Sequence, residues 1–371
     1  MINVVVVGGG SVGKRVAEYA RAQSDMQVIG IVDAQPTHLI KALSLRGFPI
    51  YAPDFKDFGE KAGERERAFR DTATRLEILI AGSIDDALEQ ANIVVDATPK
   101  GIPAKNIPRY KRHEKPVIVE GGEKHALTGR SFHPFTNYRE NVGAKETRVV
   151  SCNTTGAGIV LETLQPWGID YVMLNLTRRG EDQVIGTGPL NVIEPVLGHP
   201  HHFEDLVTIM PYLANKGMAS ASAVPHTLCH EHSLFVRLEQ TTTAETVRDM
   251  YEQTPRVRVM DWSTSGMKHT GQLAEYFLDL RRDRGDFPEV IMLGDNIHVD
   301  GHYVQVKYYV HMLSITGPSN IDAIRALNGS LDDPWTSIRH TDGCLTRELL
   351  PGFQTSKKVY ASAQERKAML R

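Results

Sequence analysis

The sequence predicts an α/β protein in two parts: a parallel-sheet half, then an α+β half with a largely antiparallel sheet. Two observations carry the first part. Ile2–Val7 is an unbroken apolar, β-branched run of the kind covered on both faces of a parallel sheet. It leads directly into Gly8-Gly9-Gly10-Ser11-Val12-Gly13, a G-x-G-x-x-G turn ahead of a helical stretch. A third observation carries the second part: beyond residue 152 the texture changes to long β-rich runs and a concentration of histidines. At 371 residues the chain accommodates two domains. The boundaries are expected at 1–151 and 152–318, with 319–371 a helix returning to the first domain and a tail.

In the first half, Lys14–Gln23 reads as a helix with Val16, Ala17 and Ala20 facing inward. A second strand, Val28–Val32, ends at Asp33, twenty residues after Gly13. A glycine motif between strand and helix, with an acid closing the next strand, specifies a Rossmann-type parallel sheet domain. Gly8, Gly10 and Gly13 allow a tight turn, and Ser11 and Val12 complete the loop under a pyrophosphate at the helix N-terminus. Asp33 would accept hydrogen bonds from ribose hydroxyls and repel a 2′-phosphate, so NAD is expected in preference to NADP. Residues 54–78 are charged and weakly patterned, a surface insertion with some helix. Ser83–Ala91 is a capped helix and Ile93–Ala97 a buried strand. Thr98 and Pro99 follow at that strand's carboxyl end, where open α/β sheets place ligands. Pro116–Val119 is the next strand, and Gly121 after it lets the chain pass close to a ligand.

Val149–Ser151 then delivers Cys152, followed by Asn153-Thr154-Thr155-Gly156 and the partly helical Ala157–Leu164. A thiol at a strand-to-helix junction meets the positive end of the helix dipole and free backbone N–H groups. Both favour thiolate, and both can hold a developing oxyanion. The competing interpretation is a buried structural cysteine beside an ordinary capped helix.

The second half opens with a strand, Tyr171–Leu176, ending in Thr177-Arg178-Arg179-Gly180, whose two arginines suit a phosphate. After a Pro/Gly-rich loop over 188–200 come His201 and His202, then Ala219–Pro225, His226–His232 and the strand Ser233–Glu239. His230 and His232 would share one face of a strand, and His226 and His230 one face of a helix. Such a group could bind zinc with His201 or His202, although no thiolate pair and no H-E-x-x-H accompanies it. In the other interpretation one histidine is the base for Cys152, and the paired histidines and arginines hold a phosphorylated substrate. Thr243–Glu252, Thr270–Leu280 and Asn320–Leu327 read as helices; Val257–Met260, Glu289–Leu293 and Tyr303–Val310 read as strands. Residues 330–371 read as a loosely attached tail with one short helix near 363–370.

Bulk properties narrow the function classes. Hydrophobic residues make up 41% and charged ones 23%, ordinary for a soluble enzyme with a real core. Lys plus Arg number 42 against 45 Asp plus Glu, so no basic field points to nucleic acid or a membrane surface. No apolar run is long enough to span a bilayer, and the N-terminus enters a strand without a basic leader. The three cysteines make no disulfide framework, so a reducing cytoplasm is expected.

With these residues in view, the chain resembles the archaeal-type (type II) glyceraldehyde-3-phosphate dehydrogenases, in order from residue 1 to about 329. The resemblance is carried by Gly13-Lys14-Arg15-Val16, Ile93–Asp96 with Thr98-Pro99, Gly121-Gly122-Glu123-Lys124, Val149–Thr155, Arg178-Arg179, His201-His202, Pro225–His232, Thr254-Pro255-Arg256 and Asn320–Ala326. It implies a Rossmann domain plus an α+β catalytic domain, assembled as a homotetramer. It places the nucleophile on Cys152, the catalytic histidine on His230, and phosphate binding on Arg178, Arg179, His201 and His202. Asn153, Thr154 and Thr155 would line the site, with no bound metal. The implied reaction takes glyceraldehyde 3-phosphate and inorganic phosphate to 1,3-bisphosphoglycerate through a Cys152 thiohemiacetal and thioester. Two departures stand out: Gly156-Ala157-Gly158-Ile159 lacks an arginine the family commonly has there, and Asp33 stands where a basic residue often accepts NADP. The alternatives are another phosphorylated or phosphonylated aldehyde handled by the same chemistry, a metal-binding protein, and a non-catalytic NAD-binding regulator.

Overall fold

The computed structural model describes residues 1–120, 122–180, 191–198, 200–226 and 229–353. Gly121, His199, residues 188–190 of the Pro/Gly-rich loop and the helix expected over 363–370 lie outside the described residues. The chain divides into two compact units. The first takes 1–132, 139–149 and 320–332; the second takes 133–138, 150–319 and the chain from 333 onward.

The first unit is built on strands β1 (Ile2–Val7), β2 (Met26–Val32), β3 (Ile50–Ala52), β4 (Ile80–Ser83), β5 (Ile93–Asp96), β6 (Val117–Val119), β7 (Ser131–Phe132) and β8 (Glu146–Val149). They form an eight-stranded sheet in the order β4-β3-β2-β1-β5-β6-β8-β7. Every pairing in it is parallel. Both faces are covered, which explains the unalternating Val4-Val5-Val6, all fully buried. On one face Val5, Val7, Val94 and Val119 pack against Ala87 and Leu88 of the helix Ile84–Gln90 and Ile107 and Tyr110 of the helix Pro103–Arg112. The sequence conceals that second helix because Pro108 lies inside it and reads as a break. The chain winds outward from β1 through β4, then returns to β5 on the other side of β1. The carboxyl ends of β1 and β5 therefore flank the crevice where such sheets bind ligands. The insertion holds a 3₁₀ turn, Phe55–Lys61, and a helix, Ala62–Arg75, that buries only Phe69 and Ala73, consistent with a surface element.

The second unit carries β9 (Ile169–Arg179), β10 (Glu194–Pro195), β11 (Gly217–Val224), β12 (His230–Leu238), β13 (Val257–Met260), β14 (Val290–Leu293), β15 (His298–Asp300) and β16 (Tyr303–Val310). Its sheet runs β10-β11-β9-β12-β16-β14-β13, with β15 added on β16. It is largely antiparallel; β9–β11 and β13–β14 are the parallel pairs among the described residues. The helix Cys152–Leu164 places Ile159, Val160 and Leu161 in a core with Leu174 and Leu176 of β9, Leu234 and Val236 of β12, and Val306 and Tyr308 of β16. Burying each such aliphatic side chain contributes about 1.5–3 kcal/mol.

Three expectations are corrected here. The central helix begins at Cys152, not at Ala157, because Ser151 caps it by accepting from Thr154 N. β12 begins at His230, earlier than the expected Ser233. Residues 334–348 are not a loose tail but a helix, Pro334–Glu348, with Asp333 as its cap at 2.8 Å from Thr336 N and Pro334 at its start. It buries Trp335, Ile338, Thr341, Asp342 and Leu345, a helical spacing masked in sequence by the polar members Thr341 and Asp342. Asp342 accepts from Arg256 Nε at 2.8 Å, so those polar positions are core positions in this fold. After the helix, Arg282 Nε donates to Pro351 O at 3.0 Å and Arg258 to Gly352 O, and Phe353 is buried.

Candidate active site

In the first unit the glycine loop has the geometry a dinucleotide requires. Gly8 sits at φ +95°, and a Cβ there would lie 2.9 Å from the Ala97 carbonyl carbon. A Cβ on Gly13 would come within 1.9 Å of Gly8 O, so the helix can begin this close to the turn only with glycine there. Gly10 faces open space, nothing lying within 4 Å of its absent Cβ. An open backbone at Gly10 and a helix starting at Gly13 fit a pyrophosphate, with Ser11 and Val12 between them. Asp33 ends β2 as expected, but its Oδ2 accepts from Gly9 N at 2.8 Å and its Oδ1 from Gln35 N at 2.9 Å. Burial pushes its carboxyl up, and those amides oppose the shift. The acid thus ties the glycine loop to the end of β2, a role the spacing alone did not reveal. Thr98 N donates to Asp96 Oδ1 at 3.0 Å, which fixes the Thr98-Pro99 turn at the carboxyl end of β5.

Sequence reasoning missed Glu120 in this unit. It follows β6, bonds to the Asn320 side chain, and is held protonated up to about 8 by burial, with the Asp96 charge adding to the effect. Its Oε1 is buried without a hydrogen-bond partner. The available signal was an acid directly after the buried run Val117–Val119, the same grammar that singled out Asp33.

In the second unit the structure brings together most of the residues singled out around Cys152. Gly156 of the central helix lies against β16: a Cβ there would be 2.4 Å from Val310 Cγ1. Val310 is the register partner of His230 on β12, so the first turn of the helix, with Cys152 and Asn153, starts beside that strand. Arg178 and Arg179 end β9, the other neighbour of β12, and their charges act on both Cys152 and His230. His230 and His232 share the buried face of β12, as their spacing predicts. Each is committed to a different neighbour. His230 Nδ1 accepts from Arg179 N at 3.0 Å, and His232 Nε2 lies 2.9 Å from Asn153 Oδ1.

Cys152 departs from the expectation of a ready thiolate. Burial pushes its thiol up to about 11, against the downward pull of the Asn153 amide and the Arg178 and Arg179 charges. The resting sulfur is therefore protonated at neutral pH. His230 is pushed well down by burial and by the neighbouring His232, Arg178, Arg179 and His202, so its ring is neutral. With Nδ1 accepting the Arg179 N–H, the single proton of that neutral ring sits on Nε2.

The anion-binding candidates are arranged by the helix His202–Ile209. The His201 and His202 rings lie 4.3 Å apart between centroids, and His201 Nε2 is 3.8 Å from Asp205. Both His202 ring nitrogens are buried without a hydrogen-bond partner, and burial, then His201 and Arg178, pushes the ring down to about 3. Arg178 Nε is likewise buried without a partner. Unpaired buried donors beside an arginine pair are what a phosphate would satisfy. Thr154 and Thr155 are buried, with Thr154 Oγ1 lying 3.0 Å from Ser151 Oγ and Thr155 Oγ1 donating to Val150 O at 3.2 Å. Among the described residues no group of three or more His, Cys, Asp and Glu side chains is placed to hold a metal ion. No described helix is long and apolar enough to cross a membrane.

Comparison with known proteins agrees with this geometry. A family profile described as "Glyceraldehyde 3-phosphate dehydrogenase, C-terminal domain" matches residues 151–271. The glyceraldehyde-3-phosphate dehydrogenase of Pyrobaculum neutrophilum is 38% identical over 93% of this chain and 97% of its own length. That of Methanothermobacter thermautotrophicus is 38% identical over 92% of this chain and 98% of its own. That of Methanothermus fervidus is 36% identical over 91% and 97%. End-to-end likeness at this identity, with a dinucleotide loop in one unit and a half-buried thiol beside paired arginines and histidines in the other, leads to one conclusion: the chain belongs to the glyceraldehyde-3-phosphate dehydrogenase family.

Proposed function

We propose that the protein oxidises glyceraldehyde 3-phosphate, with NAD(P) and inorganic phosphate, to 1,3-bisphosphoglycerate through a thioester on Cys152. The observation that carries this is Cys152 at the first turn of a helix, within the field of both Arg178 and Arg179. Arg178 and His202, with buried unpaired nitrogens, hold the substrate phosphate; Arg179 and His201 complete the cradle. Cys152 gives its proton to a solvent base, and the sulfur then attacks the aldehyde carbon. His230, carrying its proton on Nε2, meets the carbonyl oxygen as a hydrogen-bond donor. Acting as a base for the thiol would first require its ring to give up the Arg179 amide. When bound by the Gly8–Gly13 loop, the nicotinamide cofactor supplies the hydride acceptor. Inorganic phosphate then attacks the thioester and frees the sulfur.

NAD is the preferred form in this reading, because a carboxylate at Asp33 repels a 2′-phosphate. A homotetramer in the cytoplasm is the assembly and location that go with it. Replacing Cys152 by serine and measuring NAD and NADP reduction tests the proposal. A loss on the order of a thousandfold or more is expected; parent-like rates would overturn it. A second reading keeps the chemistry and changes the aldehyde, motivated by Gly156-Ala157-Gly158-Ile159, where Ile159 is buried in the core. Initial rates across phosphorylated and phosphonylated aldehydes, with and without phosphate, separate the two.

A further inference from the structure

The contact between Asn153 and His232 serves none of the roles assigned so far. Asn153 is the residue after the nucleophile, in the first turn of the central helix, and is 3% exposed. His232 is fully buried on β12, its ring edge-on to Tyr308 at 4.8 Å and 68°. Its Nε2 lies 2.9 Å from Asn153 Oδ1, while its Nδ1 is buried without a partner. Two tautomers are conceivable, and their costs differ. A proton on Nδ1 would strand a buried N–H donor; a proton on Nε2 strands only a lone pair, the cheaper loss. The ring therefore donates from Nε2 to Asn153 Oδ1. Burial, then His202, pushes His232 down to about 3, so this neutral form persists across the working pH range.

A fixed donor on the oxygen side of Asn153 fixes its amide in turn. With Oδ1 held by His232, Nδ2 is the other branch of the same amide, carried on the first helical turn that also carries Cys152. We propose that Asn153 is a catalytic oxyanion donor whose amide is set by His232, a positioning residue. The inference rests on Cys152 being the nucleophile. Once the thiol has given its proton to a solvent base, the sulfur attacks the aldehyde: the C–S bond forms and the carbonyl π pair moves onto oxygen. The Asn153 Nδ2–H would then meet that oxygen as charge develops, alongside the Nε2–H of His230. Both histidines of β12 thus act as donors in one strand-borne unit: His230 directly, and His232 by keeping the asparagine from flipping.

The test uses the full-length protein with glyceraldehyde 3-phosphate, NAD and phosphate. His232→Phe keeps the ring volume and removes the donor. It should lower kcat about 10- to 100-fold with little change in KM, because the lost contact matters only once charge has moved to oxygen. His232→Gln restores an N–H toward Oδ1 and should recover most of that loss. Asn153→Asp, near-isosteric but without amide hydrogens, should match or exceed the His232→Phe loss, and the double variant should lose little more. Alkylation of Cys152 by iodoacetamide, which displaces iodide at a methylene carbon and develops no oxyanion, should be unchanged in His232→Phe and His232→Gln. The inference is overturned if the losses of His232→Phe and Asn153→Asp multiply, if His232→Gln is no better than His232→Phe, or if alkylation slows as much as turnover. Should His232→Phe fail to fold, parent-like turnover in Asn153→Asp overturns it alone. A Cys152→Ser protein with parent activity would instead sink the underlying thioester reading, whatever these variants do.

Discussion

Cys152 illustrates how local sequence and tertiary environment can pull one group in opposite directions. The strand–cysteine–cap pattern showed where the thiol would lie and that a helix would begin there. It could not show how deep the sulfur sits, and burial outweighs the amide and the two guanidiniums that favour the charged form. With the thiol pushed up to about 11, thiolate is scarce at neutral pH and grows about tenfold per pH unit below that value. Iodoacetamide labelling of Cys152 in the protein without cofactor should therefore keep accelerating between pH 7 and 10. A plateau reached below pH 8 would mean that the helix and the arginines win after all. Asp33 and Glu120 make a related point. Both are acids just beyond buried strands, yet one binds the glycine loop and the other keeps a buried oxygen unpaired. Only their positions were legible; which neighbours they meet depends on loops that pattern does not resolve.

Among the elements, the central helix is the most constrained. Its stretch Gly156-Ala157-Gly158 reads in sequence as a weak helix, because glycine gives up propensity. The structure supplies the reason for both glycines. A Cβ at 156 would lie 2.4 Å from Val310 Cγ1, and one at 158 would lie 2.9 Å from Nε2 of the buried His133. That histidine already holds the helix through Thr155 O at 3.2 Å. Close approach of the helix to β16 and His133 is thus obtained by deleting side chains. Gly156→Ala should destabilise the protein by about 1–3 kcal/mol despite alanine's better propensity. Thermal unfolding of the variant checks this; a gain in stability would show that the strand has room to move. The strands were easier to read than this helix. β1, β5 and β16 are apolar runs or clean alternations, whereas β3 and β7 are only three and two residues long and leave no period to detect.

For the whole molecule, the division into a parallel and a largely antiparallel sheet followed from texture alone, since strands buried on both faces and strands with one wet face are written differently. The end of the chain did not. Pro334–Glu348 combines apolar Trp335, Ile338 and Leu345 with buried polar Thr341 and Asp342, and a core face containing polar groups looks like surface until their partners are known. Arg256 and Asp342, both buried, are such partners. Trp335 meets Phe135 edge-to-face at 5.7 Å within the core of the second unit. Trp335→Ala should cost about 3–5 kcal/mol, seen as a lower urea midpoint, whereas a merely appended tail would leave the midpoint unchanged.

The first unit is not one continuous stretch of polypeptide. Arg325, from near the end of the chain, grips Asp25 at 2.8 Å and Gln23 at 2.8 Å, and Gly143 N donates to Ala326 O at 2.9 Å. During synthesis, then, the amino-terminal sheet waits for a segment made only after residue 319. A nascent chain stalled anywhere before residue 320 carries that sheet without its closing clasp, and gene fusions that borrow residues 1–149 alone inherit the same defect.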